Sequence, residues 1–179
     1  MGRLRRLLMA GLLGSVVLVA AACGTTPNQS FPAVSVAPAK VVSPAVLLTR
    51  VELVRVLAQH QLTLTDTQAS FRPAEAPLLA AAPRVVYQVV LPKDPQKGFI
   101  VVYDFFDPSR AASAAAEEAA YLATGPARVQ TPLGTVAIIR QVGSTVVAYP
   151  WLPEGAQDDS APGIQAALET LGIGFSVPN

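Results

Sequence analysis

Few side chains in this sequence could carry out catalysis: it has one histidine, His60, and one cysteine, Cys23. A hydrolytic nucleophile is normally activated by a neighbouring base, which a third group orients. His60 falls in the last turn of the first predicted helix, where an imidazolium would interact favourably with the helix dipole. No G-x-S-x-G, G-x-G-x-x-G or phosphate-binding glycine loop accompanies it. We therefore expect no catalytic site, no cofactor and no metal site, and a protein that is not an enzyme.

Paired carboxylates are the other candidates for acid–base chemistry or cation binding. Asp104 and Asp107 bracket the end of a predicted strand, where the simpler interpretation is that Asp107 caps a helix and Asp104 faces solvent. Asp158 and Asp159 lack the D-x-D-x-D-G spacing of a calcium loop. We expect them to lie in a solvated loop that helps to start the last helix.

Aromatic residues on the predicted strands are candidates for binding. Residues of the same parity on a strand point to the same face of the sheet. We expect most of these rings to be core and some to form an apolar groove on any face that helices leave open. The candidate ligand- or partner-binding residues are Trp151, Tyr149 and Tyr103. Trp151, beside Pro150 and an acidic loop, is the ring expected to be partly exposed at a partner surface.

The N-terminus has the pattern of an export signal. Arg3, Arg5 and Arg6 precede the uncharged apolar stretch 7–22, which is shorter than the roughly 20 residues of a membrane-spanning helix. Residues 1–22 are therefore predicted to be a cleaved signal peptide. Ala20 and Ala22 satisfy the ordinary signal-peptidase rule, which would cut just before Cys23.

The segment Ala20-Ala21-Ala22-Cys23-Gly24 also resembles the lipobox of bacterial lipoproteins. The resemblance implies that the Cys23 thiol receives a diacylglyceryl group and that Cys23 becomes the first mature residue. Two or three acyl chains would hold the protein stably on a membrane. We therefore expect a lipid-anchored protein on the extracytoplasmic face of the cell membrane, or on the outer membrane if the cell is Gram-negative.

The charge of the mature chain argues against nucleic acid as a partner. Three of the 13 basic residues precede Cys23, so ten remain against 12 acidic residues and the net charge is −2. A phosphate-binding surface would need clustered Lys and Arg. The expected partners are the membrane, through the lipid, and possible protein partners in the cell envelope.

Residues 23–45 are rich in proline and serine and are predicted to be a tether, followed by one domain at 46–179. In that domain Thr49 to Glu52 reads as a capping box that starts a helix, with an apolar stripe of Val51, Val54, Leu57 and Ala58. Glu117-Glu118 reads as the solvated side of an alanine-rich helix. The other predicted elements are a short strand at 62–67, a hairpin of strands 85–92 and 99–106, a helix that starts at Asp107-Pro108, a hairpin of strands 133–140 and 145–151, and a last helix that contains Ile164 and Leu168.

This order predicts an α+β fold with a mainly antiparallel sheet of 4–5 strands and about three helices packed on one face. The connection from strand 99–106 through its helix could add one parallel pairing. The stretch VVYDFFDPSRAASAAAEEAA, with the later valine-rich hairpin and terminal LETLG, resembles small uncharacterised bacterial lipoprotein domains. That resemblance implies the fold and the lipid anchor, and no activity.

These observations favour a membrane-anchored extracytoplasmic lipoprotein that acts as a non-catalytic binding or interaction module. Two alternatives stay open. One is a small solute-binding lipoprotein, although the domain is small for a two-lobed cleft. The other is an envelope hydrolase, which would need a carboxylate pair in a cavity beside Asp104 or Asp158.

Overall fold

This computed structural model describes residues 42–178, which form six strands and five α-helices. The strands are β1 (Leu64–Asp66), β2 (Arg84–Val89), β3 (Phe99–Asp104), β4 (Val136–Val142), β5 (Thr145–Trp151) and β6 (Ile173–Phe175). The helices are α1 (Pro44–Ala58), α2 (Pro77–Ala81), α3 (Pro108–Leu122), α4 (Gly125–Gln130) and α5 (Ala161–Glu169), with one 3₁₀ turn at Pro153–Gly155. The predicted α+β class is confirmed.

The strands form one sheet in the order β1-β2-β3-β5-β4-β6, and every pairing is antiparallel. Both predicted hairpins are present. The expected parallel pairing is absent, because β5 lies between β3 and β4. The sheet also has one strand more than the 4–5 predicted, since Ile173–Phe175 pairs with β4. Three residues around a glycine are too short to show strand alternation in the sequence.

Helices cover both faces of the sheet, so the expectation that they pack on one face was wrong. On β3, Ile100 and Val102 point into a core that includes residues of α1 and α5. Val101 and Tyr103 point the other way, into a second core built with α2 and α3. A strand that is buried on both faces needs a continuous apolar run rather than alternation. The run FIVVY of β3 has that property.

The start of α1 differs from the predicted capping box at Thr49. The helix begins at Pro44, after Ser43, whose Oγ accepts the Val46 backbone N–H at 3.3 Å. Serine followed by proline is a favourable N-cap and first-turn pair. Thr49 lies inside the helix, 1% exposed, with its hydroxyl 2.7 Å from that of Thr145.

The face that α1 buries matches the predicted stripe only in part. Val51 and Val54 of that stripe are 61% and 41% exposed, whereas its member Leu57 is in the core together with Leu53 and Val56. Apolar residues occur all around α1, so their spacing does not select one face. Packing against the sheet makes that choice.

The helix α3 starts as predicted. Asp107 is its N-cap, with Oδ1 accepting the Arg110 backbone N–H at 2.8 Å, and Pro108 is its first residue. The helix ends at Leu122, and Gly125 begins the short helix α4 that the sequence analysis did not predict. The start of α3 is thus determined by local capping residues, whereas Gly125 and Pro126 begin α4 rather than end α3.

Candidate ligand-binding pocket

The three candidate binding residues differ in exposure. Tyr103 is fully buried and its hydroxyl donates to Glu75 Oε1 at 2.7 Å, so its ring offers no exposed surface. Burial, followed by the bond to Glu75, raises the pKa of Tyr103 above its usual value. Tyr149 is 2% exposed, and Trp151 is half-buried with Nε1 donating to Gln165 Oε1 at 3.1 Å. Cys23 lies outside the described residues.

A pocket of about 340 Å³ opens at the end of the sheet where β3 begins and β5 ends. Phe71 stacks on Phe99 in one wall, with ring centroids 4.9 Å apart and planes inclined by 19°. Tyr149 and Trp151 line the same pocket as a second pair, with centroids 6.4 Å apart and planes inclined by 12°. We call this the aromatic pocket. Its apolar lining also includes Leu91, Pro132, Leu152 and Ala156.

The polar groups around the aromatic pocket are mostly neutral amides and hydroxyls. These are Gln96, Gln130, Thr131 and Thr135. The two cations of the lining already have partners: Arg72 Nε lies 2.7 Å from Glu75 Oε2, and Lys97 Nζ lies 3.0 Å from Asp94 Oδ1. No carboxylate belongs to the described lining. The pocket thus offers stacking surfaces and neutral hydrogen-bonding groups rather than an uncompensated charge.

One side of the aromatic pocket is held by two buried aspartates. Asp94, in the β2–β3 turn, accepts the backbone N–H groups of Gln157 and Asp158 at 2.7 and 3.0 Å. Asp158 accepts the backbone N–H of Lys93 at 2.9 Å, so the turn and the loop before α5 bind each other reciprocally. The Gln157 amide lowers the pKa of Asp94, and the Ser160 hydroxyl lowers that of Asp158.

Asp158 therefore does not belong to the solvated loop that the sequence predicted. It is 8% exposed, and its Oδ1 accepts both the hydroxyl and the backbone N–H of Ser160, just before α5. Asp159 remains exposed and pairs with Lys93. Which of two adjacent aspartates is buried depends on the docking of a turn 65 residues away in the chain.

The other side of the aromatic pocket is the loop 68–76, which is held by two buried glutamates. The Glu75 side chain is 2% exposed and accepts from Tyr103, from Arg72 and, at 2.6 Å, from Arg84. Glu118 of α3 accepts the backbone N–H of Ala76 at 2.6 Å. The loop is thus tied to β2, β3 and α3 at the point where it enters α2.

Glu118 corrects the expectation that Glu117-Glu118 is the solvated side of α3. Glu118 is 3% exposed, and burial raises the pKa of its carboxyl group to about 7. The buried face of α3 has helical spacing. It consists of Ala111, Ala114, Ala115, Glu118 and Ala119. Alanines also occupy other faces of this helix, so the sequence left its orientation open.

The remaining predicted acidic and basic groups do not converge. Asp107 is the cap of α3, and Asp104 borders a separate cavity of about 480 Å³ together with Phe106 and Arg110. His60 is exposed, two residues beyond the end of α1. Within residues 42–178, no three His, Cys, Asp or Glu residues are grouped so that they could hold a metal ion.

The sequence analysis named neither Phe71 nor Phe99 as a candidate binding residue. Both are half-buried and stack on each other in the aromatic pocket. Phe71 is the one aromatic residue between positions 68 and 84, and Phe99 follows a hairpin glycine at the start of a strand. These features mark two anchoring rings but do not show that the rings meet.

No protein-family model, curated protein or solved structure matches this chain. Among the helices of residues 42–178, none is long and apolar enough to cross a membrane.

Proposed function

We propose that this chain is a lipid-anchored, extracytoplasmic, non-catalytic binding protein whose ligand occupies the aromatic pocket. The observation that carries the proposal is the convergence of two aromatic pairs on a cavity of about 340 Å³. Small-molecule sites commonly enclose about 300–1,000 Å³ and combine apolar walls with a few polar groups. The lipobox-like segment that ends at Cys23 supports anchoring outside the cytoplasm.

The lining favours a compact, uncharged ligand with a flat apolar face and a polar edge. Aromatic rings interact well with flat apolar surfaces. The neutral amides and hydroxyls of Gln96, Thr131 and Thr135 would bind the polar edge. A charged ligand gains less, because Arg72 and Lys97 are already paired with carboxylates.

A hydrolase receives less support from the same structure. Asp104 does border a cavity, but it is the only carboxylate in the described lining of that cavity. A pair of carboxylates would be needed for acid–base hydrolysis of the glycosidase type. Asp158, the other candidate, uses its carboxylate oxygens to hold a loop.

We expect the neutral dye N-phenylnaphthylamine to bind the aromatic pocket and to quench the fluorescence of Trp151 by energy transfer. Trp151 is the only tryptophan of the chain and therefore the only indole donor, and the Phe71→Ala variant tests whether the dye lies in the aromatic pocket. Phe71→Ala removes one stacking ring and should weaken dye binding about tenfold, the equivalent of about 1.4 kcal/mol. Titration of the purified full-length chain in detergent measures both effects.

The matched control for the dye experiment is Phe106→Ala. Phe106 is 92% exposed and lies outside the aromatic pocket, so its loss should leave the dye affinity unchanged. Trp151→Phe should abolish energy transfer while the dye still binds. Absence of dye binding to the wild type, or equal losses in the two Phe→Ala variants, would contradict the proposed site.

The anchor has a separate test. Cells grown with a clickable fatty acid should label the wild-type chain, and Cys23→Ala should remove the label, because the resemblance to the lipobox places the acyl chains on that thiol. Surface proteolysis of spheroplasts reports export independently of lipidation. An exported but unlabelled wild-type chain would show that the ordinary signal peptidase cuts this sequence.

A further inference from the structure

The wall of the aromatic pocket that carries Phe71 is tied to the protein through a buried carboxylate. Phe71, Arg72, Pro73 and Ala74 line the pocket, and the next two residues form the ties. Ala76 donates its backbone N–H to Glu118 at 2.6 Å. A change at Glu118 therefore acts on the end of the segment that forms this wall.

Glu118 has few groups that compensate a negative charge. Its side chain accepts one backbone N–H, while Glu75 from the loop and Glu117 from its own helix both repel its charged form. The nearby cations Arg72 and Arg84 both contact Glu75, and Tyr103 of β3 donates to Glu75 as well. The groove that Glu118 borders is also bordered by Arg128 of α4, Arg140 of β4 and Glu169 of α5.

That groove gives protons and water a route to Glu118. It encloses about 1000 Å³, and Pro73 and Ala74 line both it and the aromatic pocket. The loop thus borders both cavities, as do Thr131, Pro132, Thr135, Tyr149 and Pro150. Moving the loop away from α3 would hydrate Glu118 and would shift the wall of the pocket at the same time.

We propose that Glu118 is a pH-dependent clamp on the aromatic pocket: protonation of Glu118 holds the loop 71–76 against α3, and ionisation of Glu118 loosens it. This regulatory role rests on the proposed function only for the identity of the pocket as the ligand site. A buried carboxylate with one donor and two acidic neighbours is less costly when it is neutral. The pKa of about 7 places the change in the neutral range. A ligand held by the Phe71 wall would thus bind more tightly in mildly acidic surroundings.

Hydrogen exchange of the full-length chain tests the clamp. We expect the protection of the segment 71–76, corrected for intrinsic exchange rates, to fall about tenfold or more between about pH 5.5 and about pH 8. Glu118→Gln keeps an oxygen that accepts the Ala76 N–H but does not ionise. Its protection should be the same at both pH values and equal to that of the wild type at the acidic one.

Glu117→Gln is the matched control, because it removes the adjacent carboxylate, which is only half-buried, and leaves Glu118 in place. It should retain the pH dependence, with the midpoint at a lower pH than in the wild type because one carboxylate that repels the charged form of Glu118 is gone. A wild-type segment with equal protection at both pH values would overturn the clamp, whether or not Glu118→Gln folds. A Glu118→Gln chain whose protection falls with rising pH as in the wild type would also overturn the clamp.

The dye titration repeated at both pH values separates the clamp from the proposed function. The dye carries no charge in this range, so a loss of affinity at the higher pH in the wild type, and not in Glu118→Gln, supports both. Binding of the dye with no pH dependence of exchange overturns the clamp alone. Exchange that follows the expected pattern without any dye binding supports the clamp and removes the proposed function.

Discussion

Replacing Gly172 with alanine is expected to lower the free energy of unfolding by about 2–5 kcal/mol, through backbone strain combined with overpacking. Gly172 connects α5 to β6 with a φ of +30°, and a Cβ built there would clash with the backbone oxygen of Gln141. The Cβ is fixed to the backbone of residue 172 and the oxygen belongs to the backbone of Gln141, so no side-chain rotation can relieve the clash. The alanine must push β6 off the edge of β4, where Ile173 pairs with Gln141.

Gly143→Ala is the control for Gly172→Ala. Gly143 has a φ of +58°, but a Cβ there would meet no atom within 4 Å, so only the conformational cost of about 1–2 kcal/mol remains. Urea denaturation of both variants at one pH measures the difference. Equal losses would mean that the close approach of Gly172 to β4 does not limit stability.

The wild-type chain is also expected to lose stability as the pH rises from about 5 to about 8, by about 1–3 kcal/mol. The cause is Glu118, whose pKa is raised from 4.5 in an exposed chain to about 7 by burial in the folded protein. The folded state therefore holds a proton between these values that the unfolded state has released. At higher pH Glu118 ionises in the folded state, and its buried charge destabilises that state. The groove beside Glu118 admits solvent and limits this destabilisation.

At acidic pH the stability changes in the opposite direction: it falls as the pH falls. The pKa values of Asp94 and Asp158 are lowered from 3.8, so their contribution is present above that pH and is lost as the pH falls through their folded values. Stability should be greatest between these two ranges. Denaturation at closely spaced pH values measures the profile.

Glu118→Gln should flatten the neutral limb of that profile and leave the acidic limb unchanged. The amide retains an acceptor for Ala76 and has no charge to bury, so the variant should be more stable than the wild type at about pH 8 and similar to it at about pH 5. Glu117→Gln should keep the neutral limb, at a lower pH than in the wild type because one carboxylate that repels the charged form of Glu118 is gone. If the loss of stability with rising pH persists in Glu118→Gln, a group other than Glu118 causes it.

The parts of the fold that the sequence predicted are those in which a residue acts on its own neighbours. Asp107 bonds to Arg110, three residues away, and the predicted start of α3 is confirmed. Gly98 and Gly143 both have positive φ values in the turns of the two predicted hairpins. Turn and capping preferences operate over a few residues, so they are visible before the chain is folded.

The candidate site was predicted only in part, because its members come from distant parts of the chain. The sequence identified Tyr149 and Trp151 as candidate rings, but the wall opposite them depends on Phe71 and Phe99, which are 28 residues apart. Tyr103 had the same strand signal as Tyr149, yet it lies near the far end of β3 on the face covered by α2 and α3, whereas Tyr149 lies on the other face, near the end of β5 that borders the pocket. The parity of a residue along a strand shows which face of the sheet it is on, but not what covers that face.

The sequence by itself determined the α+β class, both hairpins and the local start of α3, and it placed the predicted lipid anchor at Cys23. Only the tertiary structure decided which face of α1 is buried, which of the adjacent acidic residues leave solvent, and that two aromatic pairs share a pocket. Asp94 binds Gln157 across 63 residues, and Glu118 binds Ala76 across 42. The physical reason is burial: a carboxylate has no preference for leaving water until a fold brings donors to it.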